Sequence, residues 1–204
     1  MRVFDPADHK PSDIYKLMIG AIVPRPIAFV STVDAAGVRN LAPFSYFTGC
    51  STNPPVVCFC SAVRSGPLPQ KNTLENIRAT GEFVVNIVSE EIAEQMNLTA
   101  AEAPPDVDEF ELSRLTPLPS DLVKAPRVAE SKVQMECRLR QIIEVSDKPG
   151  GGNLVLGEVI RFHILESVLL DTYKIDPDEL RAIGRMGGPS YIRTRDRFDM
   201  QRPK

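Results

Sequence analysis

Hydrophobic and polar residues alternate most regularly between Val133 and Val145. The apolar series is Val133, Met135, Cys137 and Leu139, and the polar series is Gln134, Glu136, Arg138 and Arg140. Alternation with a period of two predicts a strand with one buried and one solvated face. The pattern changes phase at Gln141-Ile142, where a β-bulge would bend the strand. Glycines and a proline at 149–153 predict a tight reversal, so that Leu154 to Leu165 returns as the hairpin partner.

The amino-terminal half also predicts short elements separated by turn residues. Its strands are predicted at residues 27–33, 38–48, 55–61 and 82–88, with a turn at 34–37 between the first two. A helix is predicted over 73–80, with Asn72 as its N-cap, Glu75 completing a capping box and Gly81 at its end. A second helix is predicted to begin at Ser89, because acidic residues follow it in the first turn.

Residues 103–126 differ from the rest of the chain, because they contain five prolines and few regularly spaced apolar positions. Strand-like sequence resumes directly afterwards, so we interpret the segment as a long proline-rich excursion within one domain. Long ordered loops in compact domains usually have a function.

The predicted strands come as hairpins and the predicted helices are few. This order favours an antiparallel β-barrel with peripheral helices over a doubly wound α/β fold. The length of 204 residues suits one domain, which we expect to cover residues 1–204.

Composition narrows the class of protein. A formal net charge of −3 argues against nucleic-acid binding, which usually needs clustered basic residues. The first residues have no apolar core of a signal peptide, and no apolar run is long enough to span a bilayer, so we expect a soluble, cytoplasmic protein. Cys58 and Cys60 are two apart without a nearby histidine, which favours buried thiols over a metal site.

Familiar catalytic motifs are missing from the sequence. The two histidines are His9, in a polar segment, and His163, which we interpret as a structural residue within a strand. There is no Gly-x-Ser-x-Gly elbow and no phosphate-binding Walker loop. Instead, Ile22 to Cys60 places Ser, Thr, Asn and Pro along predicted strands, which lets a backbone approach a flat polar ligand.

The order of several motifs resembles the flavin reductase-like, FMN-binding split-barrel family. The matching pieces are Pro24-Arg25-Pro26-Ile27-Ala28, Asn40-Leu41-Ala42-Pro43-Phe44-Ser45, Asn53-Pro54-Pro55, Lys71-Asn72-Thr73-Leu74-Glu75-Asn76-Ile77, Asp108-Glu109-Phe110-Glu111-Leu112 and Gly184-Arg185-Met186-Gly187-Gly188. The resemblance implies a mainly β fold with peripheral helices, an antiparallel split β-barrel of the FMN-binding type.

The resemblance also implies an activity and partners. We expect an FMN-binding oxidoreductase that transfers hydride from NADH or NADPH to flavin, since a cofactor can supply the reactivity that the sequence lacks. A homodimer with FMN near the subunit interface is expected, as is a separate monooxygenase component that receives reduced flavin. The alternatives are a non-catalytic FMN storage or electron-transfer flavoprotein, and a ligand-free barrel acting as an interaction module.

Candidate cofactor-binding residues lie within the matching motifs or close to them in the sequence. The segment expected along the flavin ring contains Asn40, Ala42, Phe44, Ser45, Tyr46, Phe47 and Thr48. The expected phosphate pocket contains Ser61, Arg64, Lys71 and Thr73, at the start of the predicted helix. Arg185 and Tyr191 are expected to approach the site, and the 103–126 excursion is expected to lie over or beside the flavin ring.

Arg25 and Pro26 complete the candidate set. For Arg25 we expect an anion contact, either with phosphate or with a carboxylate of a partner subunit; the alternative is a surface arginine at a strand edge. No catalytic acid or base and no metal ligand is assigned.

Overall fold

The computed structural model describes residues 1–65, 70–104 and 106–203. The strands in chain order are β1 Ala28–Val33, β2 Arg39–Phe44, β3 Phe47–Thr52, β4 Pro55–Ala62, β5 Glu82–Ile87, β6 Pro117–Leu118, β7 Arg127–Val128, β8 Val133–Glu144, β9 Gly152–Ile164, β10 Leu169–Asp171, β11 Lys174–Ile175, β12 Ile183–Arg185 and β13 Tyr191–Arg193. The α-helices are α1 Pro11–Ala21, α2 Asn72–Thr80, α3 Ala93–Leu98, α4 Glu109–Ser113 and α5 Pro177–Leu180. Short 3-10 helices cover Pro6–Asp8, Glu90–Ile92 and Glu166–Val168.

Seven strands form one antiparallel sheet in the order β2-β1-β5-β8-β9-β4-β3. Its two edge strands, β2 and β3, follow each other in the chain with only Ser45 and Tyr46 between them. Because so short a link must join opposite edges, the sheet has to curl until those edges meet. At this point the amide of Cys60 donates to the carbonyl of Tyr46 at 2.9 Å. The predicted mainly β, antiparallel split barrel is confirmed.

The β8–β9 hairpin is the longest pairing in the sheet, running from Val133 opposite Ile164 to Glu144 opposite Asn153. One register shift lies between Leu139 and Gln141, next to the predicted bulge. A second shift, between Glu136 and Cys137, was not predicted, because the side-chain alternation continues through it.

The barrel interior is filled by aromatic side chains. The rings of Phe44 and Phe59 have centroids 4.7 Å apart, and those of Phe59 and Phe83 are 5.7 Å apart. Leu74 and Ile77 of α2 pack into the same cluster, as the apolar positions of this helix predict. The core therefore holds α2 against the barrel beside β2.

Two predicted elements need correction. The strand predicted over 38–48 is two strands, because Ser45 and Tyr46 carry the chain from one sheet edge to the other. The N-cap of α2 is Lys71 rather than Asn72, and within the described residues no side chain closes the predicted capping box. Gly81 does end α2, with a φ of 70° that favours glycine.

The proline-rich excursion, in which Pro105 lies outside the described residues, packs largely on the outer face of the sheet. Phe110 and Leu115 join a cluster with Phe29 of β1, whose neighbours Ala28 and Val30 face the interior. Further along, the excursion packs against Val84 of β5 through the buried side chains of Val123 and Ala125. Most of the segment is thus fixed against the sheet, while Ala103 and Glu109 at its start line a pocket, so its expected place over or beside a flavin ring stays a prediction.

Glu136 anchors this segment from within β8. Its side chain is 0% exposed, and it accepts hydrogen bonds from the amides of Asp121 at 2.9 Å, Leu122 at 2.7 Å and Val123 at 3.1 Å. Nε2 of His163 lies 2.5 Å from Oε1 of Glu136, so the predicted structural role of His163 is confirmed. Burial acts to raise the pKa of Glu136, but these hydrogen bonds together hold it below its ordinary value.

Within the described residues, no helix combines the length and the apolar character needed to cross a bilayer.

We expect Glu136→Gln to lower the free energy of unfolding by about 2–4 kcal/mol, because a glutamine side chain would turn an N–H donor toward backbone amides. Urea denaturation at neutral pH measures this, with Glu144→Gln at the exposed end of the same strand as the control.

The difference between wild type and Glu136→Gln should also depend on pH. A carboxyl whose pKa is lowered by folding contributes stability above its unfolded pKa of about 4.3 and loses it as the pH falls through the folded value. The difference should therefore shrink below about pH 4. A difference that is constant down to pH 2 would contradict this account.

Candidate functional site

Two neighbouring concave surfaces lie between β2, α2 and α3. The first, here called the Lys71 pocket, is lined by Asn40, Ala42, Arg64, Lys71, Asn72, Thr73, Thr99, Ala100, Ala101, Ala103 and Glu109. The second, the Ser45 pocket, has a volume of about 150 Å³ and is lined by Ile27, Pro43, Ser45, Met96, Asn97, Ala100, Arg185 and Tyr191. Ala100 borders both, so the two pockets are neighbours.

The Lys71 pocket brings two cations together. Burial lowers the pKa of Lys71, the charge of Arg64 lowers it further, and Glu102 opposes both effects. The ammonium of Lys71 also lies 4.8 Å from the centre of the Phe44 ring. A pair of crowded cations with lowered solvation favours binding of an anion between them.

Two candidate residues have a buried polar atom without a partner in the described residues, and one of them, Arg64, lines the Lys71 pocket. The buried Oγ of Ser61 and Nε of Arg64 make no hydrogen bond within the described residues. Nε of Arg64 lies 3.4 Å from Glu102, an exposed carboxylate, without the alignment of a hydrogen bond. Buried polar groups are usually satisfied, so the unpartnered Nε of Arg64 favours a ligand that supplies an acceptor in this pocket.

The start of α2 adds backbone donors to the Lys71 pocket. The amides of Leu74 and Glu75 both donate to the carbonyl of Lys71, at 2.9 and 3.3 Å. The amides of Asn72 and Thr73 precede them in the first turn, where a helix has no internal acceptor for its N–H groups. These amides and the positive end of the helix dipole suit an anion such as a phosphate.

A buried hydrogen-bond chain forms one wall of the Lys71 pocket. Glu109 accepts from the side-chain amide of Asn40 at 2.9 Å and from the amide of Leu41 at 3.0 Å. The hydroxyl of Thr73 donates to Oδ1 of Asn40 at 2.6 Å. The hydroxyl proton of Thr73 is thus already used, so the donor that Thr73 can offer a ligand is its backbone amide.

The Ser45 pocket is built around an arginine and a tyrosine that face each other across the β12–β13 pair. The guanidinium carbon of Arg185 lies 4.4 Å from the centre of the Tyr191 ring. The hydroxyl of Tyr191 donates to Oδ1 of Asn97 on α3 at 3.2 Å. These groups give one end of the pocket an aromatic and polar lining.

Arg25 has a structural role, different from both roles considered from the sequence. Its side chain is buried, with 4% of the residue exposed, and donates to the carbonyls of Ile19 and Ile22 at 2.7 Å and of Met186 at 3.0 Å. Its Nε lies 3.3 Å from the hydroxyl of Ser45. Arg25 is therefore not a surface arginine. These hydrogen bonds leave its guanidinium few N–H groups with which to make the expected contact with an anion.

The remaining candidates divide into two groups. Asn40, Ala42, Arg64, Lys71 and Thr73 line the Lys71 pocket, and Ser45, Arg185 and Tyr191 line the Ser45 pocket. Pro26, Phe44, Tyr46, Phe47, Thr48 and Ser61 line neither pocket. Phe44 lies in the core with Phe47 packed against it, and the exposed Thr48 bonds the carbonyl of Gly49, so contact of this second group with a cofactor stays a prediction.

Sequence reasoning missed the contribution of α3 and α4. Met96, Asn97 and Ala100 carry no motif, so nothing in the sequence connects them with the site. Glu109 lies within the matching segment 108–112, and that segment was the available signal for its position beside Asn40.

We expect Arg25→Lys to lower the free energy of unfolding by about 2–4 kcal/mol, because one ammonium cannot reproduce the hydrogen bonds of the guanidinium fork. Thermal or urea denaturation measures the loss. Arg140→Lys, at an exposed ion pair with Glu158, is the matched control and should change stability by less than about 0.5 kcal/mol. Equal effects of the two substitutions would contradict a special role for Arg25.

Comparison with known proteins agrees with this architecture. Nitrilotriacetate monooxygenase component B from Bacillus cereus is 36% identical, with a TM-score of 0.92 over 98% of both chains. The Pseudomonas fluorescens 2-nitrobenzoate 2-nitroreductase NbaA is 30% identical, with a TM-score of 0.89 over 99% of this chain and 96% of the other. A Shewanella frigidimarina protein with a split barrel domain shares the fold at 22% identity, with a TM-score of 0.84 over 100% of both chains. The model of the flavin reductase like domain matches residues 19–177, and the chain therefore belongs to the flavin reductase-like family.

Proposed function

We propose that this protein is an FMN-binding, NAD(P)H-dependent flavin reductase. The observation that carries the proposal is the Lys71 pocket, where two cations, the unpartnered Nε of Arg64 and the start of α2 converge. FMN ends in one phosphate, which carries about −1.5 to −2 charges near neutral pH by analogy with phosphorylated side chains. The two cations and the N–H donors of this pocket would suit such a group.

In this proposal the phosphate of FMN would lie in the Lys71 pocket and its ring toward the Ser45 pocket. Lys71 and Arg64 would neutralise the phosphate, and the Ser61 hydroxyl with the first amides of α2 would donate to it. The ring would extend toward the Ser45 pocket, which shares the lining residue Ala100 with the Lys71 pocket. When bound, the flavin supplies the hydride chemistry, so the protein has to position two rings and exclude competing reactions.

The relatives support an oxidoreductase that works with a second component. Component B of nitrilotriacetate monooxygenase is by its name one component of a monooxygenase, and NbaA is a nitroreductase. We therefore propose that reduced flavin passes from this protein to a separate monooxygenase.

A homodimer is part of the proposal. Within the described residues, α1 buries no side chain, and it exposes Tyr15, Leu17 and Met18. The edge strand β3 is also exposed beyond Phe47. Apolar side chains on a helix without a partner favour association, and a closed twofold pair would cover the same patch on each subunit.

The proposed activity can be tested by mixing the FMN-loaded protein with NADH or NADPH under anaerobic conditions in a stopped-flow spectrometer. We expect bleaching of the flavin absorbance, at a rate that identifies the preferred nucleotide. Bound FMN that does not bleach would favour a storage or electron-transfer flavoprotein. Failure to bind FMN at all would favour an interaction module.

Lys71→Ala should weaken FMN binding about ten- to a hundredfold, because a hydrogen bond to a charged group contributes roughly 1.5–3 kcal/mol. Riboflavin has no phosphate, so its affinity should change far less. Fluorescence titration with both flavins measures this, and Lys148→Ala in the exposed β8–β9 turn is the control. If Lys71→Ala weakens the binding of both flavins equally, or of neither, the phosphate does not bind at Lys71.

Light scattering should give twice the mass of one chain at micromolar concentration with FMN bound. Leu17→Glu, which puts a charge on the exposed apolar side of α1, should shift the mass toward the monomer. Ser12→Glu, at the start of the same helix, is the control and should leave the mass unchanged. A monomer mass for the wild type would reject the dimer.

A further inference from the structure

Glu109 is an unusual residue to find beside a site for an anion. The residue is 4% exposed, yet within the described residues its carboxylate forms no ion pair, whereas the neighbouring Asp108 pairs with Arg39. It also borders the pocket that contains Lys71 and Arg64. A buried carboxylate near a bound anion is unfavourable on electrostatic grounds alone, so its position needs another explanation.

The hydrogen bonds of Glu109 provide that explanation. An ionised carboxylate can only accept, so the Asn40 side chain must turn its NH2 group toward Glu109 and its Oδ1 toward Thr73. The second carboxylate oxygen accepts from the amide of Leu41 at 3.0 Å, which fixes Glu109 to β2. Glu109 thereby sets the donor-to-acceptor direction of the hydrogen bonds that run from α4 to α2.

The same network of hydrogen bonds holds α2 at two points. Thr73 donates to Asn40 at 2.6 Å, and one turn later the side-chain amide of Asn76 donates to Oγ1 of Thr32 at 3.0 Å. Thr32 in turn lies 3.4 Å from Oδ1 of Asn40. Asn40 is thus the shared acceptor through which β1 and β2 hold the start of α2.

We infer that Glu109 is a positioning residue for the Lys71 pocket, which acts through Asn40 and Thr73 to set where the first amides of α2 meet an anion. The inference rests on the proposed function in taking that anion to be the FMN phosphate. Burial raises the pKa of Glu109, and the charge of Asp108 adds to this, so keeping this carboxylate ionised costs free energy. The protein nevertheless has it here, where two acceptor oxygens are needed to hold Asn40 and Leu41.

The test uses a substitution that keeps the negative charge and shortens the side chain. Glu109→Asp shortens the side chain by one methylene, so its carboxylate can no longer contact Asn40 and Leu41 together. Glu111→Asp is the matched control, because Glu111 lies on the same helix with a largely exposed side chain that approaches Arg39. Dissociation constants for FMN and riboflavin are measured by fluorescence titration, with urea midpoints recorded alongside.

We expect Glu109→Asp to weaken FMN binding about tenfold, equivalent to one hydrogen bond of about 1.4 kcal/mol, and riboflavin binding less than threefold. Glu111→Asp should leave both affinities within twofold. Equal loss of the two flavins, or no loss of FMN, would overturn the inference, because a merely structural role would not discriminate between them.

A double-mutant cycle tests whether Glu109 and Thr73 act together. Thr73→Val removes the hydroxyl that donates to Asn40, and Thr73→Ser retains it. We expect Thr73→Val to weaken FMN binding about tenfold and Thr73→Ser to weaken it less than threefold. The double variant Glu109→Asp/Thr73→Val should bind FMN little more weakly than either single variant. Additive losses would overturn the inference. If Glu109→Asp does not fold, equal FMN affinity of the Val and Ser variants would overturn it.

The outcomes separate this inference from the proposed function. If the wild type binds FMN and riboflavin equally and Lys71→Ala has no effect, the phosphate assignment fails. If Lys71→Ala discriminates between the flavins and Glu109→Asp does not, only the positioning role of Glu109 fails.

Discussion

The two-residue link between β2 and β3 is the constraint on which the rest of the structure depends. These strands are opposite edges of a seven-stranded sheet, and Ser45 and Tyr46 are all that separates them in the chain. The sheet must therefore curl about its core of phenylalanines, and the link lies where the edges meet. Because Ser45 also borders a pocket, the link that closes the barrel also forms part of the candidate site.

The sequence was a good guide wherever packing alone decides the structure. The alternation in β8 and the glycine-rich turn predict the long hairpin, because burying one face fixes the register of a strand. Leu74 and Ile77 predict the buried side of α2 for the same reason. The split of residues 38–48 into two strands was missed, because a change of sheet edge leaves no trace in the hydrophobic pattern.

The candidate site was predicted unevenly, and the reason is again physical. Lys71, Arg64 and Ser45 lie at pockets as expected, and Lys71 and Ser45 belong to matching motifs. Arg25 was misread, because a sequence cannot show that the acceptors for a guanidinium are backbone carbonyls far along the chain, such as that of Met186. The residues of α3 were missed because they contribute shape rather than a characteristic functional group.

The hydrogen bonds of Arg25 connect two surfaces that would otherwise be independent. The guanidinium binds the carbonyl end of α1 and the hydroxyl of Ser45. A shift of α1 on association with a second copy would therefore displace a wall of the Ser45 pocket. Occupancy of that pocket and self-association would then be thermodynamically linked, and each would change the equilibrium constant of the other by the same factor.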